Sequence, residues 1–371
     1  MRDISIKEWT EEDFANSRSE WSELLLRSDA DKLFMSWEWH YSWWNTFSND
    51  SMILKLLVAY EKSGRLVGVA PMYISRAKVR DIFSVMRLQS IGNCWRGSET
   101  MRTELFSFIV DAHESGFIIT SLFKYIYEAI DWDELVLTDL IDESATCRIL
   151  KVVSSRMRSY CRVPEEGESY YLSTAGCFED YLSGRGKNTR LHMYNRRKLL
   201  DTIGRVRFER YTGVDIEDKF DLLNLLHAKR WGKFVFADKK LVFNQRVAKL
   251  MAEKGGVNFS TISVNDSVVS IQYNFVVDGH EYNIQSGFEE GFHKKISLGY
   301  LHFGFEIENA FQNEIKVYDF LVGEGKKSQY KTRLTESSKK LINLHIVRGW
   351  RTKILYKFYD LIRKCKLMLF L

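Results

Sequence analysis

"FSTISVNDSVVSIQYNFVVDGHEYNIQSGF", residues 259–288, decides the fold. Apolar and polar residues alternate through three short runs, the period of a β-strand. Asn265-Asp266 and Asp278-Gly279 interrupt the runs, and such pairs tolerate the positive φ angles of tight hairpins. The stretch therefore reads as a three-stranded antiparallel meander. Downstream, a helix is expected over about 298–312, with Tyr300, Phe303, Ile307, Ala310 and Phe311 on one face. "NEIKVYDFLV" (313–322) then returns as a strand.

The same order occurs earlier in the chain. "LVAYEKSGRLVGVAPMYI" (57–74) reads as strand, turn at Lys62-Ser63-Gly64, strand, and "WDELVLTDL" (132–140) as a later strand. This repetition predicts two tandem α+β domains, 1–165 and 166–336, followed by a tail, 337–371. Each domain is expected to hold a mixed, mainly antiparallel sheet flanked by helices. At 371 residues, with 45% hydrophobic and 28% charged residues, the chain can bury two such cores.

Composition excludes several classes. The five cysteines form no CxxC pair, and no metal-ligand spacing is present, so no metal is expected. The acidic start, MRDISIKEWTEED, lacks the apolar core of a signal peptide, and no run reaches the length of a membrane span. A cytoplasmic protein is expected, possessing no nucleic-acid surface. The formal charge of +5 is concentrated at one end: nine Lys/Arg and one acid follow Ser337, whereas acids outnumber bases before it.

Three groups of residues carry candidate chemistry. The first is the turn into the 298–312 helix: Lys294, Lys295, Ser297, Leu298, Gly299 and Tyr300. Free backbone N–H groups at a helix N-terminus bind anions, lysines add charge, and small residues admit a phosphate. The other reading is an ordinary turn. The second is "VYDFLVGEGKKSQYK" (317–331), which fails the Walker pattern because Phe320 stands where its first glycine belongs and Lys327 follows Gly325-Lys326. Within it, Asp319 is a base or a structural carboxylate, and Tyr330 is a proton donor or a packing ring. Lys331 binds an acidic sugar or phosphate, or is a surface lysine. The third group comprises Trp37-Glu38-Trp39, read as an extended sugar-stacking segment or as core, and a basic run, 184–198. In that run Arg190 and Arg196 bind an anionic acceptor or are simply solvated.

Taken in order, "SWEWHYSWW", "GRLVGVAPMYI", "NTRLHMYNRRKLL", "LLHAKRWGK", "SGFEEGFHKKISLGYL" and "YDFLVGEGKKSQYKTRL" resemble the double-GNAT acyltransferases of bacterial exopolysaccharide, capsule and cellulose gene clusters. That family is related to the Fem peptidyltransferases. The resemblance covers most of residues 15–335. It implies two GNAT-like domains and acetyl-CoA or another acyl-CoA as co-substrate at the 294–300 turn. It also implies N-acylation of an amino sugar, with a sugar-nucleotide or lipid-linked saccharide as acceptor. Under this reading Asp319 and Tyr330 are the candidate catalytic residues, and Trp37, Glu38, Trp39, Arg190, Arg196 and Lys331 the candidates for the acceptor site. The family's Ser-Pro-Gly turn departs here to Ser297-Leu298-Gly299. Two alternatives stand beside it: a Fem-like aminoacyl transferase, and a non-catalytic scaffold of a polysaccharide assembly complex.

In the tail, Val347, Trp350, Ile354, Phe358, Leu361, Cys365 and Met368 recur at helical spacing among basic residues. Such a helix lies on an anionic membrane surface, with the protein peripheral to the inner face, or it packs on the body.

Overall fold

The computed structural model describes residues 4–79, 82–93, 100–323 and 330–369. Thirteen strands occur among them. In chain order, β1 (Ile4–Trp9), β2 (Met52–Glu61), β3 (Leu66–Val79), β4 (Phe83–Ser90), β5 (Ile109–Val110) and β6 (Glu134–Ile141) come first. Next are β7 (Tyr160–Ser173), β8 (Val206–Tyr211), β9 (Val257–Val264), β10 (Ser267–Val277), β11 (His280–Phe288) and β12 (Val317–Val322). The last is β13 (Ser338–Val347). Five helices matter below: α1 (Trp37–Phe47), α2 (Ser115–Ala129), α3 (Glu217–Trp231), α4 (Leu298–Gln312) and α5 (Trp350–Leu369).

The chain divides into two compact units, Met1–Gly167 with Lys340–Leu371, and Glu168–Lys339. Residues 340–371, expected as a separate tail, thus belong to the first unit. The reason is β13, which pairs antiparallel with β6 from Leu341–Ile141 to Val347–Glu134. Val347, placed on the tail helix by its spacing, ends this strand instead.

Each unit repeats one plan, and the expected α+β class is observed. In the first, β2, β3 and β4 form an antiparallel meander, β6 lies parallel to β4, and β13 antiparallel to β6. In the second, β9, β10 and β11 form the meander, β12 lies parallel to β11, and β7 antiparallel to β12. The turns follow from backbone chemistry: Gly64, Asn265, Asp266, Asp278 and Gly279 all take positive φ. Near the N-terminus, Thr10 Oγ1 accepts from Asp13 N–H at 3.1 Å while Asp13 Oδ2 accepts from Thr10 N–H at 2.9 Å, a reciprocal helix cap.

Trp37, Glu38 and Trp39 correct the extended reading. They begin α1, capped by Ser36, whose hydroxyl accepts from Trp39 N–H at 3.2 Å. All three are buried. Trp37 Nε1 donates to Phe14 O and Trp39 Nε1 to Thr103 Oγ1, while Glu38 pairs with Arg18 at 3.1 Å. An aromatic-rich helix buried nearly all round is core, so these residues have no face free for a sugar.

In the second unit, Gly304 lies midway along α4. A Cβ there would stand 2.0 Å from Met193 O, inside any permissible contact. Met193 sits in a turn of π-helix, Leu191–Asn195, within the basic run. Ordinarily Gly→Ala in a helix stabilises by roughly 1 kcal/mol. Here Gly304→Ala is expected to destabilise by about 2 kcal/mol or more through overpacking. Chemical denaturation of the two proteins checks the sign.

Candidate functional site

The site begins with a short ladder. β11 and β12 pair in parallel at His280–Val317, Glu281–Tyr318 and Tyr282–Asp319 only, among the described residues. β11 then continues along β10 to Phe288, and β12 along β7 to Val322. Two central strands therefore part, and the backbone groups of 283–288 on that edge lack a ladder partner among the described residues. An edge of free N–H groups inside a sheet can hold an extended ligand and stabilise an oxyanion.

At the far end of this edge lies the N-terminus of α4. Gly299 is required by closeness, since a Cβ there would meet the Phe288 ring at 2.9 Å. Ser297 occupies the N-cap position but makes no side-chain cap bond among the described residues, so the first N–H groups of α4 remain available to an anion. Lys294 and Lys295 are exposed beside this turn. A third cation, Arg230, lies with its guanidinium over the Phe288 ring at 4.5 Å. It is placed by the end of α3, which stops at Gly232 in a left-handed conformation. Sequence reading quoted "LLHAKRWGK" without assigning Arg230 a role; its proximity depends on α3 packing against β11.

Aromatic residues line the first turn of α4. Tyr330 stacks on Phe303 at 5.6 Å and meets Tyr300 edge-on at 6.2 Å. Burial, then the neighbouring Tyr300, pushes the Tyr330 hydroxyl well above its ordinary value, so it stays protonated. Tyr300 Oη and His192 Nδ1 are buried without hydrogen-bond partners among the described residues, and the two rings lie 6.3 Å apart. His192 was missed in the sequence; its signal is the π-helical turn, a feature that often marks functional sites.

Asp319 is fully buried at the closed end of the parting, its last paired position. Its Oδ1 accepts from Leu321 N–H at 2.7 Å, and Oδ2 lies 3.3 Å from His280 Nε2. Gly299, near Phe288, stands about 20 Å further along β11, at ~3.3 Å per residue. One expectation is corrected here. Lys331 is buried and donates to the carbonyls of Phe320 and Leu321, which leaves it no free head for an acceptor. Arg190 donates to the carbonyls of Ser183 and Arg185. Arg196 is half-buried, and Gly325–Ser328 of the rejected Walker turn lie outside the described residues.

Beneath α4 runs a buried polar belt. Glu281 Oε1 accepts from Arg210, Asn258 and Asn274 at 2.8–2.9 Å. Asn283 donates to Gln272 and Asn274, and Tyr318 donates to Gln272. His302 bridges Ser260 and Ser270, and its burial pushes its pKa down to about 3. Glu306 lies 3.8 Å from Arg210; burial, then the Glu281 charge, pushes it up to about 8.

Residues 187–332 match the family described as Acetyltransferase (GNAT) domain. Among solved structures, FemX is similar over 95% of this chain and 99% of its own, at 11% identity and a TM-score of 0.61. A conserved protein of unknown function from Bacteroides thetaiotaomicron is similar over 93% of this chain and all of its own, at 11% identity and a TM-score of 0.54. L-PGS from Bacillus licheniformis is similar over 91% of this chain and 93% of its own, at 9% identity and a TM-score of 0.51. At these identities the likeness is one of fold. No curated protein matches the chain. The domain match supports an acyltransferase, in keeping with the parted strands and the uncapped N-terminus of α4.

Glu306 gives a test of the belt. Its pKa rises from the ordinary carboxylate value of 4.5 to about 8 on folding, so between those values the folded state binds the extra proton. Stability therefore falls as pH rises through that window, at up to ~1.4 kcal/mol per pH unit. Buried His302 has the opposite sign, its contribution being complete above its unfolded pKa of about 6.5. Between pH ~6.5 and ~8 the carboxyl acts alone. Glu306→Gln is expected to flatten the decline of unfolding free energy there, as measured by urea titration at several pH values.

Proposed function

We propose that the second unit transfers an acyl group from acyl-CoA, acetyl-CoA in the first instance, to the amino nitrogen of a sugar in a cell-surface polysaccharide precursor. The observation that carries this reading is the parting of β11 and β12 beside the uncapped N-terminus of α4. In this reading the donor's diphosphate lies against the N–H groups of Leu298–Tyr300, with Lys294, Lys295 and Arg230 as counter-charges. Its pantetheine arm runs along the free edge of β11. The amine attacks the thioester carbonyl, and the resulting oxyanion accepts from a β11 N–H. The C–S bond then breaks, and the leaving thiolate takes the Tyr330 proton. The nitrogen's proton passes to Asp319, which His280 adjoins.

The acceptor rests on the motif resemblance. The tryptophans and Lys331 no longer support it, because each is engaged inside the fold; half-buried Arg190 and Arg196 are the remaining candidates. A Fem-like transfer from an aminoacyl donor is the alternative that the FemX-like fold favours.

Calorimetry with acetyl-CoA is expected to give saturable heat. Lys294→Ala/Lys295→Ala and, separately, Arg230→Ala should each weaken binding by about threefold to tenfold. Tyr330→Phe should lower kcat by about 100-fold with little change in KM for the donor, the scale of a lost proton donor. Absence of heat at high protein concentration favours the scaffold. Binding of acetyl-CoA without turnover on amino-sugar acceptors displaces the acceptor assignment alone.

A further inference from the structure

In the first unit, α5 is held to the protein by buried Tyr356 and partly buried Leu355, packed with Val79, Val85 and Val347, and by polar bonds, while a second apolar stripe faces outward. Asp360, its one acid, is turned inward, where Arg162 grips both carboxylate oxygens at 2.6 and 2.7 Å. The guanidinium of Arg162 lies over the Tyr356 ring at 4.4 Å, and Tyr356 Oη donates to buried Glu134 at 2.8 Å. Tyr160 Oη also donates to Asp360, and Lys353 to Arg158 O. A bidentate, largely buried ion pair fixes a side chain's geometry, so these bonds set the rotation of α5 about its axis.

That rotation leaves Trp350, Ile354, Phe358 and Leu361 facing solvent, each about 60% exposed or more. Their spacing of four, four and three places them in one stripe. Exposed Arg351 and Lys357 flank it on either side, while Arg363 stands on the opposite side of the helix and donates to Pro164 O. Four large apolar side chains aligned in solvent mark an interaction surface. The cations beside them, with the single acid hidden, select a negatively charged partner. No helix of the described residues is long and apolar enough to cross a membrane.

We propose that α5 is a docking element for an anionic lipid bilayer, lying in the interface with its stripe among the acyl chains and its cations at the headgroups. A helix locked from behind presents this surface without the ordering cost a disordered tail would meet on binding. The proposal is independent of the acyl-transfer reading: it draws on different residues and a different unit. Its consequence is that the protein acts at a membrane surface, where a lipid-linked acceptor resides.

The test uses the full chain in flotation with two vesicle preparations, phosphatidylcholine alone and phosphatidylcholine with about 30 mol% phosphatidylglycerol. Binding is expected on the anionic vesicles only, and to weaken as salt rises. Ile354→Gln/Phe358→Gln should reduce it by about tenfold or more, and Arg351→Glu/Lys357→Glu similarly. Both variants change exposed side chains, and unchanged thermal unfolding establishes that they fold. Equal binding by wild type and both variants would overturn the proposal, as would no binding. Concentration-dependent dimerisation through the stripe, without vesicle binding, would assign the surface to a second copy instead.

Discussion

The three-pair parallel ladder between β11 and β12 is the constraint on which the second unit's site depends. β11 is committed to β10 along its length to Phe288. β12 is committed to β7, with a bulge between Asp319 and Leu321 that puts Leu321 at φ 59°. A leucine at positive φ is strained unless its surroundings compensate. They do so here. The buried Asp319 carboxylate accepts from Leu321 N–H, and the buried Lys331 ammonium donates to the carbonyls of Phe320 and Leu321. These are the positions at which β12 leaves β11. Buried charges are tolerated when they are bonded in this way, and together they hold the strands apart.

The polar belt under α4 imposes a second constraint. A helix packed on a sheet ordinarily meets it through apolar side chains. Here Gln272, Asn274, Asn283 and Glu281 turn amides and a carboxylate into that interface, and His302 and Glu306 answer from the helix. Such a network is costly unless satisfied, but it also specifies one alignment of helix on sheet. That alignment sets the height of the α4 N-terminus against Phe288, and so the relation between the uncapped turn and the parted strands.

Much of this was legible in the sequence. The hairpin pairs Asn265-Asp266 and Asp278-Gly279, the period of the meander, and the α4 boundaries depend on local backbone chemistry, and the structure follows them. The errors share one cause. Alternation in 36–44 looked extended, but the Ser36 cap and burial on nearly every side make it helical. Lys331 read as a binding group because charge suggests solvent, whereas it is buried and backbone carbonyls take its hydrogens.

By itself the sequence determined the two hairpin-linked stretches, the helix and strand that follow the second, the repetition of one plan, the turn with its two lysines, and the basic apolar helix at the end. Those features depend on neighbours in the chain, through φ preferences, hydrogen-bonding periodicity and caps. The tertiary structure alone decided where β11 and β12 part, that Arg230 reaches Phe288, that Arg162 holds Asp360, and hence which face of α5 meets solvent. Each of these joins residues far apart in the chain, and the free energy that fixes it comes from burial and pairing, which no local pattern encodes.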